Sequence, residues 1–204
     1  MEKCVIFIIG APCAGKSTLR HHLVAEIEKW PGLSAEQIQS FAVGDLLRQE
    51  VANQTEVGRA IKSYTNKGLL VPYETWVPLL KERFNRKDIA VTVMDGYLSG
   101  REALEAFNEL LKENKAFIVR RHTLLDLILK REEQCRQERQ ACSRQDLSNF
   151  HARLEEYLRF SAPLWPRICR MFGDYAISVS GRKEAKETAA ELSAIIQARS
   201  ISVC

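Results

Sequence analysis

The stretch Gly10-Ala11-Pro12-Cys13-Ala14-Gly15-Lys16-Ser17-Thr18 follows directly on the apolar run Cys4-Val5-Ile6-Phe7-Ile8-Ile9. Six residues, mostly β-branched or aromatic, are too few for a buried helix and predict a parallel strand covered on both faces. A glycine-bearing loop that leaves such a strand and enters a helix gathers backbone N–H groups around an anion. Lys16 then supplies a point charge for β/γ phosphate oxygens, and a hydroxyl reaches a magnesium ion. Ser17 and Thr18 both offer that hydroxyl; the spacing favours Ser17, which follows the lysine. A bare turn before an amphipathic helix would not require Lys16-Ser17 at this offset from Gly10 and Gly15. The pattern therefore predicts a site for a nucleoside triphosphate.

A chain of 204 residues suits one α/β domain with small insertions. Its 46% hydrophobic and 27% charged residues are those of a globular chain, which excludes a disordered or fibrous one. The N-terminal apolar run lies behind Glu2-Lys3 with no small-residue cleavage pattern, so neither a signal peptide nor a membrane span is expected and a cytosolic location is. Cys4, Cys13, Cys135, Cys142, Cys169 and Cys204 form no Cys-x-x-Cys pair, which argues for reduced thiols over a zinc ribbon or a disulfide framework. Cys135 and Cys142 are the pair that an oxidised loop would join. The net charge of +4 is dispersed outside one segment and does not call for nucleic acid.

Strands and helices alternate along the chain. A helix is expected over about 16–29, a break at Trp30-Pro31-Gly32, a helix start at Ser34-Ala35-Glu36-Gln37 and a short strand near 38–43. Helical stretches follow from Gly44 and from Thr55 to Lys67, closed by Gly68 as a C-cap. Leu69 to Pro72 reads as extended, Tyr73 to Asn85 as helix, and Ile89 to Met94 as a buried strand ending at Asp95-Gly96. Helix 101–112, strand 116–119, a charged helical stretch from about 124, strand 175–179, a turn at Gly181 and helix 183–198 complete the chain. Such alternation predicts a parallel sheet with helices on both faces and ligands at the strand ends.

Asp95 closes a strand predicted to lie beside the phosphate loop, where a carboxylate holds magnesium directly or through water. Asp95-Gly96 also suits a plain turn, but the buried strand before it favours the first reading. Four ordered signatures now stand together: Gly10 to Thr18, Gly44-Asp45-Leu46-Leu47-Arg48, Gly68-Leu69-Leu70-Val71-Pro72, and Asp95-Gly96-Tyr97. On these the chain resembles the adenylate kinase group of nucleoside monophosphate kinases over nearly its whole length. Arg144-Gln145-Asp146 followed by Arg153-Leu154-Glu155-Glu156-Tyr157 is similar to that family's lid and the helix after it.

The resemblance implies a three-layer P-loop kinase fold in a single domain. Its core would be 1–43, 74–131 and 146–204, its monophosphate-binding hairpin 44–73 and its lid 132–145. The implied reaction moves the γ-phosphoryl of Mg-ATP to a nucleoside monophosphate, AMP first among acceptors. The ATP positions are then Gly10, Ala11, Pro12, Cys13, Ala14, Gly15, Lys16, Ser17, Thr18 and Gly181. Ser17, Thr18 and Asp95 would organise Mg²⁺. Val43, Gly44, Arg48, Gly68, Leu70, Val71, Arg101 and Glu105 would surround the acceptor. A guanidinium fork at Arg48 suits a dianionic phosphate. Positioning and charge stabilisation dominate phosphoryl transfer, so arginines should close over the transferring group. Lys16, Arg131, Arg144 and Arg153 are the expected catalytic set, while Arg136 and Arg139 share a run in which Glu132 and Arg136 also read as a solvated i,i+4 pair. No zinc-lid spacing is present, and His21, His22, His122 and His151 read as surface or packing residues. A monomer is expected, without nucleic acid or membrane partners.

The acceptor segment departs from the family. Tyr97 is followed by Leu98-Ser99-Gly100-Arg101, with the expected arginine displaced by two residues, and Glu105 or Ala103 stands where adenylate kinases carry glutamine. The position before Gly44 is Val43 instead of threonine. Ionised glutamate only accepts hydrogen bonds, which suits the amino group of cytosine or guanine, so CMP or GMP is the alternative acceptor. A kinase of another small metabolite and an ATP-dependent switch without turnover are the further alternatives.

Overall fold

The computed structural model describes residues 3–66, 71–96, 98, 100–138 and 149–201. Its centre is β1 (Cys4–Ile9), buried at every position as its unbroken apolar run requires. Four further strands, β2 (Ile38–Ala42), β3 (Val91–Gly96), β4 (Lys115–His122) and β5 (Ala176–Ser180), complete a sheet in the order β2-β3-β1-β4-β5. Every pairing is parallel.

Alternation along β1 sends successive side chains into two cores. Ile6 and Ile8 meet Leu19, Leu23 and Ile27 of α1 (Lys16–Ile27) and Leu192 and Ile196 of α9 (Ala185–Ile201). Val5, Phe7 and Ile9 face α4 (Tyr73–Phe84), α5 (Arg101–Leu110) and α8 (Trp165–Phe172) through Trp76, Leu80, Phe107 and Ile168. The result is the three-layer P-loop kinase fold.

A third, smaller core lies directly over the loop after β1. Ala11 and Ala14 pack with Ile128 of α6 (Leu125–Glu138) and with Phe150 and Leu154 of α7 (Phe150–Glu156). Helix α6, which carries 132–138 of the expected lid, and α7 after it are thereby tied to the phosphate loop. Between β2 and β3 stand α2 (Val43–Ala52) and α3 (Glu56–Thr65), the described part of the expected monophosphate hairpin. Thr55 caps α3 by accepting a hydrogen bond from the Gly58 amide at 2.9 Å. A side chain at Gly58 would lie 2.0 Å from the Glu50 carbonyl oxygen, so glycine is what lets α3 approach the end of α2 this closely.

Several expected boundaries move. Ser34 to Gln37 forms a single 3₁₀ turn, Ala35–Gln37, because the chain enters the β2 ladder at Ile38. Val43 opens α2 instead of closing the strand. β3 runs on through Asp95 and Gly96, which pair with Ile8 and Ile9, so Asp95 belongs to the sheet. β4 extends from Lys115 to His122 because β1 and β5 pair with different parts of it. A π-helical turn at Tyr157–Ser161 had no signal in the hydrophobic period.

Candidate nucleotide-phosphate site

β1 delivers the chain at Ile9 to a loop that reverses into α1 at Lys16. The reversal uses left-handed backbone at Cys13 (φ 55°) and Gly15 (φ 82°). Gly10 sits where a side chain would approach the Arg121 carbonyl oxygen to 2.8 Å, so its lack of one lets the loop press against β4. Lys16 Nζ reaches back over the loop and donates to the Ala11 carbonyl at 2.7 Å. The ammonium is thus held at the concave N-terminus of α1, where positive partial charge also collects. Ser17 and Thr18 are exposed at the same helix start, within reach of a ligand.

Asp95 is 4% exposed at the end of β3, level with Ile8 on the neighbouring strand. Its Oδ2 accepts from Arg20 Nε at 2.7 Å, and both side chains are almost wholly buried. The same guanidinium donates through Nη1 to Ser40 Oγ at 2.6 Å. Its Nη2 lies 3.0 Å from His21 Nε2, which must accept because a guanidinium only donates. The other carboxylate oxygen of Asp95 accepts no hydrogen bond from the described residues.

Magnesium fits this donor set. Mg²⁺ uses one or two protein oxygens and takes its other ligands from phosphates and water. Asp95 Oδ1 and a hydroxyl of Ser17 or Thr18 are oxygens of that kind. Among the described residues no cluster of three or more His, Cys, Asp or Glu offers an all-protein cage.

Behind the loop, one carbonyl gathers three side-chain donors. Ala14 O accepts from Arg121 Nε at 3.0 Å, Thr123 Oγ1 at 3.2 Å and Arg131 Nη1 at 3.1 Å. Arg131 Nη2 also donates to Gly181 O at 2.8 Å, and Arg121 Nη2 to Lys183 O at 3.2 Å. Arg131, expected over the transferring phosphate, here joins the P-loop to the turn after β5. Arg121 is 2% exposed, and burial pushes its guanidinium below the ordinary arginine value, with the nearby Arg131 charge adding to the shift.

On the acceptor side, Arg48 leans over Gly44 and forms an exposed ion pair with Asp45, a kind of pair that adds little to stability. Val43 and Val71 are buried in the core that backs α2 and α3. Arg101 and Glu105 find each other on α5: Arg101 Nε donates to Glu105 Oε1 at 2.9 Å, and Arg167 Nη2 donates to the same oxygen at 2.6 Å. The bond and charge of Arg101, joined by Arg167, hold the Glu105 carboxyl below its ordinary range. Glu105 is therefore an anion at neutral pH. Arg153 stands on α7 beside Leu154, whose side chain packs on the loop alanines, and Arg136 pairs with Glu132 as their spacing predicts. Gly68, Leu70, Cys142, Arg139 and Arg144 lie outside the described residues.

Arg20, Arg121, Thr123 and Arg167 were not singled out from the sequence. Arg20 had a signal, being a charge on the stripe that runs through Leu19, Leu23 and Ile27. Arg121 had a weaker one, as half of an arginine doublet closing the apolar run Phe117-Ile118-Val119.

A parallel sheet with a phosphate loop after its central strand, a lysine at the start of the following helix and a carboxylate ending the adjacent strand defines the P-loop kinase class. Within that class, residues 8–166 match the family described as adenylate kinase, and the chain belongs to that family. It is 36% identical over 110 residues to an adenylate kinase of Nautilia profundicola, covering 54% of each chain. It is also 35% identical over 111 residues to an adenylate kinase of Sulfurovum sp., covering 54% of this chain and 53% of the relative. An adenylate kinase of Streptococcus pyogenes is 38% identical over 110 residues, or 53% of this chain and 48% of the relative. The chain spans about half the length of the curated relatives it matches. Among the described residues no helix is long and apolar enough to cross a membrane.

Proposed function

We propose that this protein transfers the γ-phosphoryl group of Mg-ATP to a nucleoside monophosphate, with AMP as the leading acceptor. The observation that carries the reading is the pairing of Ile8 with Asp95, which sets a carboxylate beside the loop that Lys16 closes. Lys16 and the loop amides neutralise and orient the β and γ phosphates. The chemistry magnesium would supply when bound is neutralisation of the charge that develops on those phosphates. Asp95 Oδ1 and a hydroxyl of Ser17 or Thr18 would hold the ion, directly or through water. Arg48, and Arg101 after leaving Glu105, bind the acceptor phosphate, Val43 and Gly44 adjoin the monophosphate, and Gly68, Leu70 and Val71 wall its base. Arg131, Arg144 and Arg153 close over the transferring group, with Arg131 exchanging backbone carbonyls for phosphate oxygens. Closure of hairpin 44–73 and lid 132–145 keeps water from the reacting phosphate. Gly181 shapes the turn against which ATP lies. We place the protein in the cytoplasm, as a monomer.

One observation favours a second acceptor. With the segment shifted by two residues, Glu105 rather than Ala103 takes the place where glutamine would read adenine, and an anion that only accepts suits the amino group of CMP or GMP. The deciding experiment measures ADP and diphosphate formation from Mg-ATP with AMP, CMP, GMP and UMP, using Lys16→Ala as the blank. Transfer that falls at least about 100-fold in the folded Lys16→Ala protein supports the reading and names the acceptor. ATP binding with no transfer to any monophosphate would overturn it in favour of a switch or another metabolite.

A further inference from the structure

We propose that Arg20 is a built-in counter-cation for the phosphate site: by neutralising Asp95 it lets this chain hold a nucleoside triphosphate with a reduced dependence on the divalent ion. The inference rests on the kinase reading of the site and concerns a residue that contacts Asp95 and not the phosphates, so Arg20 is a positioning residue.

Arg20 stands one helical turn after Lys16, so the two cations share a side of α1. Lys16 turns outward over the loop, and Arg20 turns inward to the sheet. There its Nε is 2.7 Å from Asp95 Oδ2, with side chains 8% and 6% exposed. Ser40 and His21 occupy two of its remaining donors and fix the plane of the guanidinium. Burial and these three bonds hold the pair together.

The charge count gives the consequence. Asp95 lies at the end of the strand beside the P-loop, so an unpaired carboxylate there would repel a polyphosphate. Without Arg20 the site loses one positive charge, with Lys16 on the loop and Arg121 and Arg131 behind it remaining, and a divalent ion would be needed both to neutralise the phosphates and to shield them from Asp95. With Arg20 the second task is done by the protein, and the site keeps a net positive charge. Oδ1 stays open toward the ion's water shell, so the pair changes how much the ion contributes to binding without blocking it.

The test is calorimetric titration of the full chain with β,γ-methylene ATP, in excess Mg²⁺ and in excess EDTA, the readout being the ratio of the two Kd values. Arg20→Leu should raise the EDTA penalty by about tenfold, the scale of one unit charge ~12 Å away at an effective dielectric of about 20. Asp95→Asn, which leaves Arg20 unopposed, should lower the penalty below that of the native protein. Arg20→Leu combined with Asp95→Asn should return it to the native value, and Arg20→Lys should stay near it. The double variant and Asp95→Asn keep the test open if Arg20→Leu does not fold. Binding with the same ratio in all variants, or a double variant that keeps the raised penalty of Arg20→Leu, overturns this inference alone. No binding by the native chain in either condition overturns the kinase reading and this one with it.

Discussion

Asp95 and Arg20 meet where the sheet ends and the phosphate site begins, and their burial makes each depend on the other. A buried ion is tolerable while its partner is bonded to it, and removal of one partner typically costs about 3–5 kcal/mol, whereas replacing both by neutral groups costs far less. Asp95→Ala should therefore lower unfolding stability by about 3–5 kcal/mol, and Arg20→Leu with Asp95→Asn by no more than about 2 kcal/mol. Urea denaturation of both proteins checks this. Equal losses in the two would mean that packing around Arg20, and not its charge, is what the fold needs. Glu105 is the contrasting case. Its bonds to Arg101 and Arg167 are exposed, so they add little to stability and leave the three groups able to rearrange around an acceptor.

At the scale of elements, β1 and the loop after it were legible because one local rule fixed both: a run too short for a helix, followed by glycines, lysine and a hydroxyl. The stretches that form α2 and α3 were legible, one beginning at Gly44 and one from Thr55, but their closeness was not. That closeness depends on Gly58, whose role emerges only when the Glu50 carbonyl is seen at the place a side chain would fill. Gly58→Ala should force the two helices apart, destabilise the protein by about 1–3 kcal/mol and raise the KM for the monophosphate more than that for ATP. Steady-state kinetics with each substrate varied checks the split. An unchanged acceptor KM would separate the hairpin from acceptor binding. The carbonyl of Ala14 teaches the same lesson, since Arg121, Thr123 and Arg131 converge on it from a strand end, a loop and a helix far from it in sequence.

Across the whole molecule, the sheet order brings together at one edge what the chain separates by tens of residues: the loop after β1, Asp95 on β3 and Arg121 on β4. The alternation of strands and helices predicted this layering, and the ordered signatures led to the adenylate kinase family. Long-range pairs such as Arg20 with Asp95 were beyond a sequence reading, because no local period relates α1 to β3 and only packing brings them together. The most direct test of the account follows phosphorus NMR spectra of the full chain incubated with ADP and Mg²⁺ and no other nucleotide. Two ADP molecules should disproportionate, giving the β-phosphate signal of ATP together with that of AMP, and Lys16→Ala should leave ADP unchanged. Persistence of ADP with the native chain, under conditions where it binds, would contradict AMP as the acceptor.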